Sequence, residues 1–229
     1  MNPKLSILMP TLVERQKQRW KLTQEFRSQF SRLGITASNP TVETLYLEDN
    51  GEMSLGEKLN QLTAMAGGEY VAVVDDDDRV AGCYVEELLK AIDTDIALEK
   101  AKRAQVKYYP PPIKPDVITF DLYRVDLAEV WTFGTVWEDR TDLTTSYLGQ
   151  SWDVQPRGKV LGMVSNHLCA WQRELAIQVP WQDQTRGVDV LWYTAMREKF
   201  PDAREVHIPK ILYLYFYDAD KTVAQKKPS

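Results

Sequence analysis

Within the first 92 residues three short apolar runs alternate with segments of helical period, and no other feature narrows the fold as much. "KLSILM" (4–9) is a compact apolar run stopped by Pro10, as expected for a buried strand that ends at a turn. Residues 14–34 place Trp20, Leu22, Phe26, Phe30 and Leu33 at helical spacing, with Gly34 as the stop. A second strand, "VETLYLED" (42–49), ends in acidic residues followed by Gly51. The stretch 54–68 then offers Ser54 as an N-cap, Glu57 three residues on, and Gly67-Gly68 as a terminator. A third strand, "YVAVVD" (70–75), runs straight into further aspartates, and "CYVEELLKAI" (83–92) restores a helical period. Strand–helix–strand–helix–strand with apolar strands predicts an α/β fold, a parallel sheet covered by helices. Ligands of such folds sit beyond the carboxyl ends of the strands, and the aspartates fall at such an end.

The remainder is less regular. Residues 97–115 have helical character and then three prolines that form a loop; Lys100, Lys102, Arg103 and Lys107 read as a solvated helix face. Beyond residue 116, "DVITFDLYRV", "KVLGMV" and "VHIPKILYLYFY" read as strands, and one helix is expected around 187–199. A single domain of 229 residues, α/β in its first half and mixed α+β in its second, is the economical reading. The net charge of −5 argues against a dedicated nucleic-acid binder, although a local basic patch serves that purpose on an acidic protein. Two cysteines, Cys83 and Cys169, lie far apart without a CxxC spacing, which disfavours a zinc site or a disulfide framework. "LSILMP" is too short for a signal-peptide core and no run reaches membrane-spanning length, so a soluble cytoplasmic protein is expected.

Asp75, Asp76, Asp77 and Asp78 are consecutive. Carboxylates held a few ångströms apart raise one another's pKa and favour a bound cation, and oxygen ligands select hard ions such as Mg²⁺ or Mn²⁺. A calcium EF-hand loop fails, because Arg79 and Val80 occupy its fifth position and its obligatory glycine position. The residues alone leave two readings open, a metal site and a solvated acidic loop.

Four segments in order carry a resemblance: "LSILMPT", "LYLEDNG", "GEKLNQLTAMAGGEYVAVVDDDD" and "RGVDVLW". Together they resemble the family 2 glycosyltransferases of GT-A fold, over residues 4–90 and 160–217. The resemblance implies a Rossmann-like, mostly parallel central sheet flanked by helices, with a nucleotide-sugar-binding half (1–95) and an acceptor half (116–220). It implies that Pro10 and Thr11 line a uridine pocket, that Asp49 accepts from the base N–H, and that Lys58 lies near the base or diphosphate. Asp75 and Asp77 become the metal-binding DxD pair, with Asp76 facing the ribose or metal, and Asp189 becomes the catalytic base. Two departures stand out. Val188 precedes Asp189 where the family commonly has Glu, and Leu214 stands where many members have a metal-binding histidine. His207, seven residues upstream, reads as a strand-surface residue, and Asp218 or Asp220 are alternative helpers.

The implied reaction is metal-dependent, inverting transfer of a sugar from a nucleoside diphosphate sugar, a UDP-sugar by preference, to an acceptor hydroxyl. Six of the seven tryptophans fall between residues 131 and 192, and flat rings stack on sugars and on nucleobases. Trp137 and Trp152, which flank a polar stretch, and His167 are the expected acceptor-side residues. A saccharide, a lipid-linked sugar, a protein side chain or a hydroxylated nucleic-acid base would each serve as acceptor. Two other readings compete: a non-catalytic nucleotide-sugar-binding scaffold, favoured by Val188 and Leu214, and a nucleotidyltransferase, which lacks its glycine-rich phosphate loop in "PTLVERQKQR".

Overall fold

The computed structural model describes residues 2–104, 111–134 and 160–216. Strand β1 (Leu5–Leu12) leads through a short 3-10 turn into helix α1 (Gln16–Arg32). Strand β2 (Val42–Asp49), helix α2 (Leu55–Met65) and strand β3 (Tyr70–Val73) follow. The Ser54 side chain caps α2 by accepting from the Glu57 N–H at 3.0 Å, the cap expected from the sequence. Strand β4 (Arg79–Val80) and helices α3 (Tyr84–Ile92) and α4 (Ile96–Arg103) complete the first half. The second half contributes strands β5 (Val117–Arg124), β6 (Glu129–Gly134), β7 (Val160–Val164) and β8 (Ala170–Gln172). Helices α5 (Arg173–Ala176) and α6 (Val188–Lys199) and strand β9 (Glu205–Tyr215) close the described chain.

The strands form one nine-stranded sheet in the order β2-β1-β3-β8-β5-β6-β7, with β9 bridging β4 and β5. The two longest ladders, β1 with β2 and β5 with β9, are parallel, as are β1 with β3 and β6 with β7. Antiparallel pairing is confined to shorter ladders around β8, β4 and β6. This is the mostly parallel, helix-flanked sheet expected from the apolar runs, with a mixed second half. Strands covered on both faces need no polar side, so β1 reads Leu5 to Thr11 buried throughout.

Packing fixes the helices on this sheet. Phe26 of α1, Tyr84 of α3, Phe120 of β5 and Phe133 of β6 form a chain of ring contacts 5.9–6.4 Å apart. Buried Gln29 joins α1 to the turn before α3, donating to the Ala81 carbonyl and accepting from the Val85 N–H, both at 2.9 Å. In the second half Trp181 stacks on Trp192 at 4.3 Å, and Trp171 meets Trp192 edge-on. These three buried rings form core. Asn60 of α2 and Trp181 exchange two hydrogen bonds at 2.8 Å, side-chain amide to backbone in both directions. Gly56 of α2 lies so close to Gln182 that a Cβ there would meet the Gln182 carbonyl oxygen at 1.8 Å. The two halves of the chain are thereby clamped along α2.

Candidate active site

The carboxyl ends of β1, β2 and β3 open into a cleft of about 410 Å³. Pro10, Thr11 and Arg15 line it from the end of β1, and Gly51, Met53 and Lys58 from the β2–α2 segment. Asp75, Asp76 and Asp77 line it after β3; Thr185, Arg186 and Gly187 of the loop before α6, with Tyr215 at the end of β9 and Phe216 just after it, complete the lining. Six of the sequence-selected residues (Pro10, Thr11, Lys58, Asp75, Asp76 and Asp77) therefore meet in one cavity.

The four aspartates have four different environments. Asp76 is buried and uses both oxygens, accepting from Thr11 Oγ1 at 2.5 Å and from Arg15 Nη1 at 2.9 Å. Asp78 is buried and turned inward, accepting from the Tyr213 hydroxyl and from the Phe216 N–H, both at 2.8 Å. Burial, reinforced by the Asp75 charge, pushes the Asp78 carboxyl well above its usual range. Asp75 and Asp77 keep side chains 31% and 40% exposed, and these two are presented to solvent in the cleft. Arg15 Nη1 also reaches Asp77 Oδ2 at 3.0 Å, so one guanidinium bridges Asp76 and Asp77. Burial and the neighbouring Asp75 charge raise the Asp77 pKa to about 6, against the pull of Arg15.

Asp49 lies behind Lys58. The two form a buried ion pair, Lys58 Nζ also donates to the Thr11 carbonyl at 2.8 Å, and Asp49 Oδ2 accepts from the Met53 N–H at 2.6 Å. Burial alone would raise the Asp49 pKa, but the bonds from Lys58 and from the Met53 and Gly51 backbone more than offset it, and the pKa is lowered. The pair thus ties the end of β2 to the end of β1 and presents Lys58 to the cleft.

Asp189 sits half-buried in the first turn of α6, two residues after the cleft-lining Gly187, whose φ of +63° makes the left-handed turn into the helix. His167, in the turn before β8, brings Nε2 to 3.8 Å from Asp75 Oδ2 and lies edge-on to Trp181. Trp137 and Trp152, and with them Asp218 and Asp220, lie outside the described residues. Leu214 is buried on β9 opposite Arg79. His207 contacts Thr119 Oγ1 at 2.9 Å and Asp121 Oδ1 at 3.5 Å across the β5–β9 ladder; it does not line the cleft.

Three residues of the site went unrecognised in the sequence. Arg15 and Tyr213 carry no motif, and Arg186, which opens the "RGVDVLW" segment, was given no role; for Arg15 the available signal was a cation a few residues past a strand that ends beside an acidic run.

A divalent ion fits this donor set in one way. Asp75 and Asp77 are hard oxygen donors suited to Mg²⁺ or Mn²⁺, Asp77 with only its Oδ2 held by Arg15, while Asp76 and Asp78 have both oxygens engaged. Among the described residues no group of three or more His, Cys, Asp or Glu is arranged around a metal position. Two carboxylates suit an ion that takes its remaining ligands from substrate phosphate and water.

No family model and no curated protein matches the chain. Among solved structures, the chain is similar to TarS 1–349 from S. aureus in complex with UDP-GlcNAc, with a TM-score of 0.56 and 13% identity. That superposition covers 99% of this chain and 62% of that one. It is also similar to the mannosyltransferase PcManGT from Pyrobaculum calidifontis in complex with GDP-Man and Mn²⁺, with a TM-score of 0.52 and 12% identity, over 98% and 60%. The fold is accordingly that of the GT-A type. The chain spans about three fifths of the length of these structures. Among the described residues no helix is long and apolar enough to cross a membrane.

Proposed function

We propose that the chain is a glycosyltransferase of the family 2 type that moves a sugar from a nucleoside diphosphate sugar, a UDP-sugar by preference, to an acceptor hydroxyl with inversion. One observation carries this reading: three aspartates, Arg15, Arg186 and Lys58 converge on a single cleft at the strand ends of a GT-A sheet. The mix suits a diphosphate, which brings negative charge for the cations and oxygens for an ion shared with Asp75 and Asp77. That two solved structures of this fold hold UDP-GlcNAc, or GDP-Man with Mn²⁺, supports the same assignment.

In this reading residues 1–95 hold the donor and 116–220 the acceptor. Pro10 and Thr11 border the uridine, while Asp49 acts by fixing Lys58 and the β2–α2 segment. Lys58 and Arg186, which both line the cleft, compensate the diphosphate charge. A bound Mn²⁺ or Mg²⁺ would supply Lewis-acid stabilisation of the leaving phosphate. Asp189 takes the acceptor proton as general base, a contribution on the order of 10²–10⁴ in rate. His167 lies on the acceptor side, between Asp75 and Trp181.

A thermal-shift series with UDP-, GDP- and dTDP-sugars, with and without Mn²⁺, tests the proposal. A metal-dependent stabilisation by one nucleotide, followed by slow hydrolysis of its sugar donor, is expected. Stabilisation without any turnover would leave a non-catalytic binder, and no nucleotide response at all would reject the donor site.

A further inference from the structure

The 3-10 turn before α1 serves the cleft through Arg15, whereas no residue of α1 itself lines that cleft. Between α1 and the edge strand β2 runs an open groove of about 630 Å³, lined by nine residues that include four cations and no acid. For a chain whose net charge is −5, this is a marked local reversal of sign. Lys17, Lys21 and Arg27 are exposed, and none has an ion-pair or hydrogen-bond partner among the described residues. Their spacing puts them on one helix face over about 15 Å.

Two rings lie in the same groove. Trp20 is 63% exposed, although an indole of that size normally hides most of its surface, and Tyr46 of β2 is 52% exposed. Arg19 does not belong to the free cations. Its guanidinium sits over the Tyr46 ring, 4.2 Å from the centroid, and it pairs with Glu48 at 3.4 Å, so it steadies one face of the tyrosine.

We propose that this groove binds single-stranded nucleic acid, with Lys17, Lys21 and Arg27 on the phosphates and with Trp20 and Tyr46 as stacking surfaces for bases. Unpaired cations interleaved with exposed rings are the elements of sequence-tolerant strand binding, the cations tracking the backbone and the rings taking the bases. A duplex hides its base faces, so the rings select the single strand. An anionic membrane is the poorer match, because Trp20 is the one large apolar side chain among the exposed positions of this helix face and buries too little area for interfacial docking. The groove and the donor cleft have no lining residue in common, and this inference concerns binding alone, independent of the donor assignment.

The test uses the full chain and a fluorescein-labelled mixed-sequence 16-nucleotide DNA strand, without any nucleotide sugar. The same measurement is made with the duplex, with inorganic polyphosphate and poly-glutamate of matched charge, and with phosphatidylserine vesicles. Binding of the strand is expected with a log–log salt slope of about −2, as three phosphate contacts require, or about twenty-fold weakening from 50 to 200 mM salt. Trp20→Ala is expected to weaken strand binding about ten-fold while leaving polyphosphate unaffected, and Lys21→Gln to flatten the slope by about 0.7. Both positions are exposed, and an unchanged melting temperature checks that the variants fold. Failure to bind the strand, equal binding of polyphosphate or poly-glutamate, preference for duplex or vesicles, or indifference to Trp20→Ala would each overturn the proposal.

Discussion

From β9, the Tyr213 hydroxyl donates to Asp78 Oδ2 at 2.8 Å while accepting from the Asp75 N–H at 3.1 Å, and it thereby holds the acidic run at both ends. Both Tyr213 and Asp78 are buried, so neither has water as a substitute partner. Tyr213→Phe should cost about 2 kcal/mol. For a chain of this size that lowers Tm by about 4–8 °C. Chemical denaturation, monitored by far-UV circular dichroism, measures it directly.

Arg15 is the counter-ion of the site. Removing it in Arg15→Ala leaves Asp76 buried with a partner lost and Asp77 uncompensated. The variant is expected to be less stable by about 1–3 kcal/mol without metal. Added Mn²⁺ should then raise its Tm by more than it raises that of the parent chain. An equal rise in both would remove Arg15 from any competition with a cation.

Asp189→Asn should abolish transfer while nucleotide binding stays near that of the parent, because the residue lies beyond the cleft-lining 185–187 segment. Paired titrations with UDP and turnover assays separate the two effects. Full activity in the variant would exclude Asp189 as the base.

Gly56→Ala should disturb the cleft from outside it. The added methyl carbon meets the Gln182 carbonyl oxygen, which is backbone and cannot swing away, and Gly56 N–H donates to Gln184 at 3.2 Å just before the 185–187 wall. A loss of about 1–3 kcal/mol is expected, with weakened nucleotide affinity read by calorimetry.

Acid sensitivity has an identifiable source at Asp116. Burial works against its charge, but Arg204, through its side chain and its N–H at 2.8 Å, more than offsets this and lowers the pKa. A carboxyl with a lowered folded pKa contributes stability above its unfolded value of about 3.9 and loses it as pH falls through the folded value. Asp116→Asn should therefore lower Tm at neutral pH, with the two Tm curves converging below about pH 4.

The first three strands and their helices were legible because Ser54 caps α2 and the apolar runs of β1 and β3 are continuous, but the stop expected at Pro10 is not one: β1 runs through it to Leu12, paired with β2 up to Asp49. The short β8, with only three residues, has no period to read. The bridging of β4 and β5 by β9 is a tertiary choice that no local pattern encodes. Within the site, the sequence located the cluster but could not divide its labour. Four identical side chains diverge only because Thr11, Arg15, Tyr213 and Phe216 arrive from distant segments, occupying both oxygens of Asp76 and of Asp78 and one of Asp77. Asp49 shows the same limit: its strand-end position was readable, whereas its engagement by Lys58 and Met53 depends on how the β2–α2 segment folds back.

The reciprocal Asn60–Trp181 bonds have a consequence for how the cleft receives a ligand. An amide side chain that both gives and takes a hydrogen bond acts here like one peptide unit of a ladder, joining positions 121 residues apart. With Gly56 wedged against Gln182 beside it, α2 cannot slide along the 181–184 segment without breaking contacts on both sides. The part of the cleft lined by Lys58 and by residues 185–187 is therefore built when the chain folds, before any ligand arrives. A molecule that binds there need not spend its affinity on assembling the cavity, and more of that affinity is left to hold it in one orientation.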